Sequence, residues 1–325
     1  MKFFRFLIIF AALTGFAGEA PGQISGIRQA GSWGYQLQNA APAELAASRY
    51  DVLVMDYSRD GADAGAYTPG EIQSIKNQGK IVLAYLSIRE AEDYRFYWRA
   101  SWQPGNPPGV YGKPVWLGPA NPEWPGNYKV LYWYAGWWTT ALKPYLDRLL
   151  AAGFDGVYLD IIDAYWHWYE HAPGTYTLRS SANRMVRLVE KIGAYTRGQR
   201  PGFILCPQNG ESIIDDAAAD YRRRYLQAID ALGVEDLFYY FGTRADQRYR
   251  LQLLQKYAGQ GKKIFNIEYI PKKRWTEYLS KVCAAAVPIV PYAGRPDRNL
   301  DELVPDFPEA DCGNAAGAKL PLPGE

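Results

Sequence analysis

The chain has 325 residues, 48% of them hydrophobic, with 36 Lys and Arg against 34 Asp and Glu and a formal net charge of +2. A near-neutral balance lacks the basic excess usual in nucleic-acid-binding domains, so nucleic acid is not an expected partner. The length allows a sizeable core and suits one α/β barrel without a second domain.

Residues 1–20 carry the pattern of a signal peptide: two positive charges in MKFFR, the apolar run FLIIFAALTGFAG, then small residues, with cleavage expected after Ala17 or Ala20. No Cys follows that run to carry a lipid. It falls short of the roughly 20 apolar residues of a membrane helix, as does every later run. The sequence therefore reads as a secreted or periplasmic protein without a membrane anchor. The folded domain is expected over residues 23–310, with 311–325 as a flexible C-terminal tail, and a monomer is expected.

Eight short apolar runs follow one another: GSWGYQL (31–37), DVLVMDY (51–57), KIVLAYLSI (80–88), GVYLDII (156–162), GFILCPQNG (202–210), ALGVEDLFY (231–239), KKIFNIEYI (262–270) and AAVPIVPYA (285–293). Most are near-continuous, as parallel strands covered on both faces should be. Helical signals lie between them. Thr68, Pro69 and Glu71 form an N-terminal capping pattern that ends at Gly79. Residues 139–153 have helical spacing, and 177–198, 211–229, 243–259 and 271–284 read as further helices. Alternation of this kind predicts a single (β/α)8 TIM barrel. Residues 89–138, after the third strand, are far longer than one helix requires and form a long insertion on the face where barrel active sites sit.

Acidic and amide side chains fall at the C-terminal ends of five strands: Asp56, Asp160, Gln208 with Asn209 and then Glu211, Glu235, and Glu268. Buried carboxylates are costly unless paired, so several on one rim point to chemistry. Without a cofactor motif, such a ring suits glycosidic bond cleavage, in which one carboxyl protonates the leaving oxygen and the other attacks the anomeric carbon or activates water. Asp160 and Glu235, two strands apart, are the expected pair, with the choice of acid left open. No cofactor and no metal are expected. Aromatics make up 15% of the chain, and many lie between Tyr94 and Tyr169, where exposed rings suit the apolar faces of sugars. Tyr165, Trp166, Trp168 and Tyr169 are expected to form a stacking wall.

GFDGVYLDIID, DVLVMDYSRDG, IVLAYLSIREAEDYRFYW, LCPQNGES and GVEDLFY resemble, in this order and over nearly the whole mature chain, the signatures of glycoside hydrolase family 114, the endo-α-1,4-polygalactosaminidases. The resemblance implies a (β/α)8 barrel that cleaves galactosamine-containing polysaccharide, with Asp160 and Glu235 as the catalytic pair. It also implies that Asp56, Tyr85, Arg95, Gln208, Asn209 and Glu211 line the sugar site. Arg89 stands where similar sequences often carry Gly. Galactosamine-rich polysaccharide is thus the expected partner; a non-catalytic polysaccharide-binding barrel is the alternative.

Two motifs remain. HWYEH (167–171) matches the HxxEH spacing of a class of zinc peptidases, but Pro173 and Gly174 follow at once, and the segment reads as the loop after the fourth strand. Of three cysteines, Cys206 lies in an apolar run, which leaves Cys283 and Cys312 as the pair most compatible with a disulfide.

Overall fold

A computed structural model describes residues 22–102, 112–171, 175–240, 242–310 and 312. The expected signal peptide at 1–20 and, apart from Cys312, the expected tail at 311–325 lie outside these residues. No helix among the described residues is long and apolar enough to cross a membrane.

Among the described residues eleven strands are formed: β1 Trp33–Tyr35, β2 Val52–Met55, β3 Ile81–Ser87, β4 Glu90–Glu92, β5 Leu117–Ala120, β6 Asn127–Val130, β7 Gly156–Asp160, β8 Ile204–Pro207, β9 Ala231–Glu235, β10 Lys263–Tyr269 and β11 Ile289–Gly294. The eight expected strands are β1, β2, β3 and β7 to β11. One parallel sheet runs β1-β2-β3-β7-β8 and a second runs β9-β10-β11. A parallel bridge between Gln208 and Gly233 joins the two sheets, supported by Asp230 N–H donating to the Leu205 carbonyl at 2.9 Å. On the other side Trp33 of β1 donates its indole N–H to the Val290 carbonyl of β11 at 3.0 Å. The strands therefore follow one another around a (β/α)8 barrel in chain order.

Alternate residues of each strand face the lumen, and there the aromatics collect. Trp33 packs against Phe265 at 5.2 Å and Tyr292 at 5.9 Å, and Tyr35 meets Tyr158 at 5.2 Å. The crowding explains Gly233, where an added Cβ would lie 1.9 Å from the Tyr158 hydroxyl. Much of the aromatic content is thus core.

The capping box at Thr68 and Glu71 forms as read. The helix expected at 139–153 instead begins at Ala135, passes through a π turn and runs on to Ala152, where Gly153 takes a left-handed φ of 90° and ends it. Residues 211–229 divide into Ile213–Asp216 and Ala219–Ala228. The insertion is not merely a loop: β4, β6 and β5 form an antiparallel sheet, with Glu90 opposite Lys129 and Glu92 opposite Asn127. Its Pro- and Gly-rich composition concealed short strands joined by a turn, in which Gly126 adopts a φ of 91° that only glycine takes easily. Cys283 and Cys312 are disulfide-bonded, with Cα atoms 5.2 Å apart, and Cys206 is free and buried.

Candidate active site

The C-terminal ends of the strands open into a cleft of about 1100 Å³, covered on one side by the inserted sheet. Asp160 and Glu235 both line it. Each lies two residues beyond a lumen-facing position, Tyr158 and Gly233, so strand alternation aims both carboxyls inward. Each is half-buried at the end of an otherwise buried strand.

Both oxygens of each carboxyl are held. Asp160 Oδ2 accepts from the Tyr85 hydroxyl at 2.7 Å, and Oδ1 accepts from Ile161 N–H at 2.7 Å. Glu235 Oε1 accepts from the Tyr269 hydroxyl at 2.5 Å, and Oε2 accepts from Asn209 Nδ2 at 3.3 Å. Asn209 in turn takes the Glu235 N–H on its own Oδ1 at 2.9 Å. The backbone is strained beside them: Ile161, Asn209 and Asp236 have φ of 66°, 57° and 55°. For β-branched Ile161 this is a real outlier, of the kind that gathers at functional sites.

The electrostatics follow from burial without a cation. Desolvation pushes the Asp160 carboxyl up to about 8, the Glu235 charge adds to this, and the hydrogen bonds from Tyr85 and Ile161 oppose it. Burial likewise raises Glu235, against the hydrogen bonds from Tyr269, Asn209 and Gln208. Interacting acids of this kind titrate as a pair, and with burial raising both carboxyls the pair favours a singly protonated state. It can give a proton with one carboxyl while the other stays anionic.

A second acid group lies toward β2 and β3. Arg95 forks onto Asp56 with bonds of 2.9 and 2.7 Å and donates Nε–H to Glu92 at 2.6 Å. Burial raises Asp56, and the Arg95 charge offsets it. Gln208 Oε1 accepts from Tyr35 at 3.3 Å. Asp56, Tyr85, Arg95, Gln208 and Asn209 thus all line the cleft, and so does Arg89.

Three expected substrate contacts do not line it. Glu268 is fully buried because, on β10, Phe265, Ile267 and Tyr269 share the lumen side and Glu268 falls on the opposite one. There it accepts Phe238 N–H at 2.8 Å and is pushed up to about 7 by burial. Glu211 is ion-paired with Arg250, which donates to the carbonyls of Asp236 at 3.0 Å and Glu235 at 2.9 Å. Trp166 points from its helix toward Tyr169. The expected stacking wall is absent from the cleft lining altogether: Tyr165 is buried against Ser212 and Asp216, and Trp168 donates to the Val130 carbonyl. The rings that do line it include Tyr35, Tyr85 and Tyr269 in its floor, with the more exposed Tyr94 and Trp124 from the insertion.

HWYEH is not loop but part of a short helix, Tyr165–His171. His167 and His171 stack at 4.1 Å, and His171 donates Nδ1–H to the His167 carbonyl at 2.9 Å. Burial, with Arg89 and Lys129, holds the His167 imidazole down to about 3. Among the described residues no group of three or more His, Cys, Asp and Glu is arranged to hold a metal ion.

Sequence reasoning missed Tyr269, Asp163, Trp124 and Arg298. Tyr269 was within reach, since period-two counting from Phe265 puts it, and not Glu268, in the lumen. Trp124 and Arg298 sit on connections whose geometry no periodicity announces.

The family model for glycoside hydrolase family GH114 matches residues 17–304. An uncharacterized protein of Thermotoga maritima is 37% identical over 283 residues, covering 84% of this chain and 83% of its own. The uncharacterized protein MJ1477 of Methanocaldococcus jannaschii is 38% identical, covering 83% and 77%. Among solved structures, the glycoside hydrolase domain of PelA from Pseudomonas aeruginosa matches with a TM-score of 0.58 at 18% identity, over 84% of this chain and 97% of that one. Aspergillus fumigatus Ega3, in complex with galactosamine, matches with a TM-score of 0.56 at 15% identity, over 84% and 93%. The chain shares their fold.

Proposed function

The chain belongs to glycoside hydrolase family GH114, and from that premise we propose that it is a secreted enzyme cleaving α-1,4-linked galactosamine-containing polysaccharide with Asp160 and Glu235 as its two working carboxyls. One observation carries the reading. Two carboxyls, each hydrogen-bonded on both oxygens and raised by burial, line one open cleft. In the reaction the protonated member gives its proton to the glycosidic oxygen as the bond to the anomeric carbon breaks. The ionised member stabilises the positive charge growing on the sugar and either attacks it or takes a proton from the attacking water. Tyr85 and Tyr269 keep the two carboxyls oriented.

The cleft also supports an amino-sugar substrate. Its lining carries eight carboxyl groups against five Lys and Arg side chains, so an ammonium-bearing polymer is attracted locally although the whole chain is near neutral. Ega3, of the same fold, is described with galactosamine bound. Trp124, 61% exposed at the rim, offers a face on which a sugar ring can stack.

The test is release of reducing ends from partly deacetylated galactosaminogalactan by purified protein, with Asp160→Asn and Glu235→Gln as folded controls. Normal turnover in both variants would end the proposal. N-terminal sequencing of protein recovered outside the cytoplasm, expected to begin after Ala17 or Ala20, checks export separately.

A further inference from the structure

The segment following β11 is a second strained wall of the same cleft, and nothing in the carboxyl-pair chemistry explains it. Arg298 and Leu300 have φ of 61° and 51° although neither is glycine. Such conformations persist where the surroundings enforce them. Here the stretch after β1 does so: Leu37 and Gln38 N–H both donate to the Leu300 carbonyl, at 2.7 and 3.0 Å, and Gln38 Nε2 donates to the Asn299 carbonyl at 3.0 Å. The result is a fixed position for the Arg298 side chain, which lines the cleft.

Arg298 touches both immediate neighbours of Glu235. Its Nη2 donates to Asp236 Oδ1 at 2.7 Å. Its guanidinium lies 4.3 Å from the centre of the Tyr269 ring and 4.9 Å from that of Tyr240. Asp236 is the next residue after Glu235, and Tyr269 supplies the hydroxyl bound to Glu235 Oε1. We propose that Arg298 is a positioning residue for the Glu235 carboxyl, neutralising Asp236 beside it and bracing the Tyr269 ring that hydrogen-bonds it. The proposal rests on the functional reading above only in naming Glu235 as a working group.

Ionisable groups surround Glu235 on several elements. Asp160 faces it from β7, Tyr35 from β1, Tyr158 from β7 and Tyr269 from β10. Arg250, paired with Glu211, holds its carbonyl from the helix Arg244–Gly259. Glu268 lies behind, on the outer side of β10. Burial is the main cause of the raised Glu235 carboxyl, and the Asp236 charge adds to it. Arg298 is the cation paired with that Asp236 charge. Remove the guanidinium and an unpaired anion stands one residue from Glu235.

The experiment reads Glu235 directly, by 13C NMR titration of its carboxyl in wild type, Arg298→Gln, Asp236→Asn and the double variant. The acid limb of the hydrolysis profile is followed in parallel. Arg298→Gln is expected to raise the Glu235 midpoint by about 0.5–1 pH unit, as loss of a nearby cation should. Asp236→Asn should lower it, the double variant should return close to wild type, and Arg298→Lys should largely rescue. A residue that merely held the loop would lower the melting temperature or scale turnover equally at every pH, leaving the midpoint in place. An unmoved midpoint in Arg298→Gln, or a double variant that stays as high as the single one, overturns the proposal. The NMR titration needs no substrate. If wild type fails to cleave galactosamine polymers, the functional reading falls while the midpoints still judge Arg298.

Discussion

On the β2 and β3 side of the cleft, Asp56 and Glu92 are bridged by a single guanidinium that is almost wholly buried. On the β7 and β9 side, Asp160 and Glu235 are held by phenols, an amide and a backbone N–H, and no ion pair reaches either of them among the described residues. The residue types are the same, with Asp56 and Glu92 the more deeply buried. What differs is the counter-charge. The bridged group shares the one Arg95 cation between its two carboxyls, which fixes their positions in the cleft. The unbridged pair has no cation bonded to it and burial raises both carboxyls, which favours retaining the proton that the proposed acid catalysis needs.

The sharpest way to break this contrast is to neutralise each group in turn. Asp160→Asn and Glu235→Gln should each lower kcat by about 10³-fold or more, at the upper part of the range for proton-transfer groups, measured as reducing ends released. Comparable losses from Asp56→Asn would erase the distinction between the groups. The reverse experiment acts on stability. Arg95→Met strands two buried carboxylates, and removing one partner of a buried charge network costs about 3–5 kcal/mol. Chemical denaturation at pH 7 should show that loss. It should shrink at acid pH, where the stranded Asp56 carboxyl, already raised by burial, takes up a proton.

Much of this was legible in the sequence. The eight strands, the capping box at Thr68, the long insertion and the inward-facing Asp160 and Glu235 all follow from alternation and from the end positions of apolar runs. The errors have physical causes. Glu268 was placed in the cleft because its position at a strand end was read without counting the phase from Phe265. Glu211 was placed there because a carboxylate next to Gln208 and Asn209 looks like a ligand, until Arg250, 39 residues away, claims it. Trp166 and its aromatic neighbours were read as a loop wall, whereas a helix turns Tyr165 and Trp168 into the core. Each miss is a long-range partner or a rotation that local pattern does not encode.

The unbridged pair should also weaken the fold. In the native state the Asp160 carboxyl is held at about 8 against an ordinary 3.8. The folded protein therefore binds more protons than the unfolded chain between those values, and stability falls as pH rises through that window. Asp160→Asn carries no such charge. Its melting temperature should match wild type near pH 4 and exceed it at pH 8 by several degrees, about 2–4 °C per kcal/mol for a protein of about this size or somewhat smaller. A constant offset across pH would mean that the carboxyl is not strained by burial.

The smallest effects separate the two carboxyls from each other. Tyr85 donates only to Asp160, and Tyr269 only to Glu235, among the hydrogen bonds of the pair. Tyr85→Phe and Tyr269→Phe each remove one donor to an anion, which raises the affected carboxyl by about one pH unit and lowers kcat by about 10-fold. If the alkaline limb of the pH–rate profile belongs to Asp160, Tyr85→Phe moves that limb upward and leaves the acid limb in place, and Tyr269→Phe moves the acid limb alone. If the proton is shared so closely that neither limb belongs to one residue, each substitution displaces both limbs together. Either pattern keeps the pair distinct from the Arg95 group, where substituting Tyr94, the phenol bonded to Glu92, should shift neither limb, because that phenol is bonded to neither Asp160 nor Glu235.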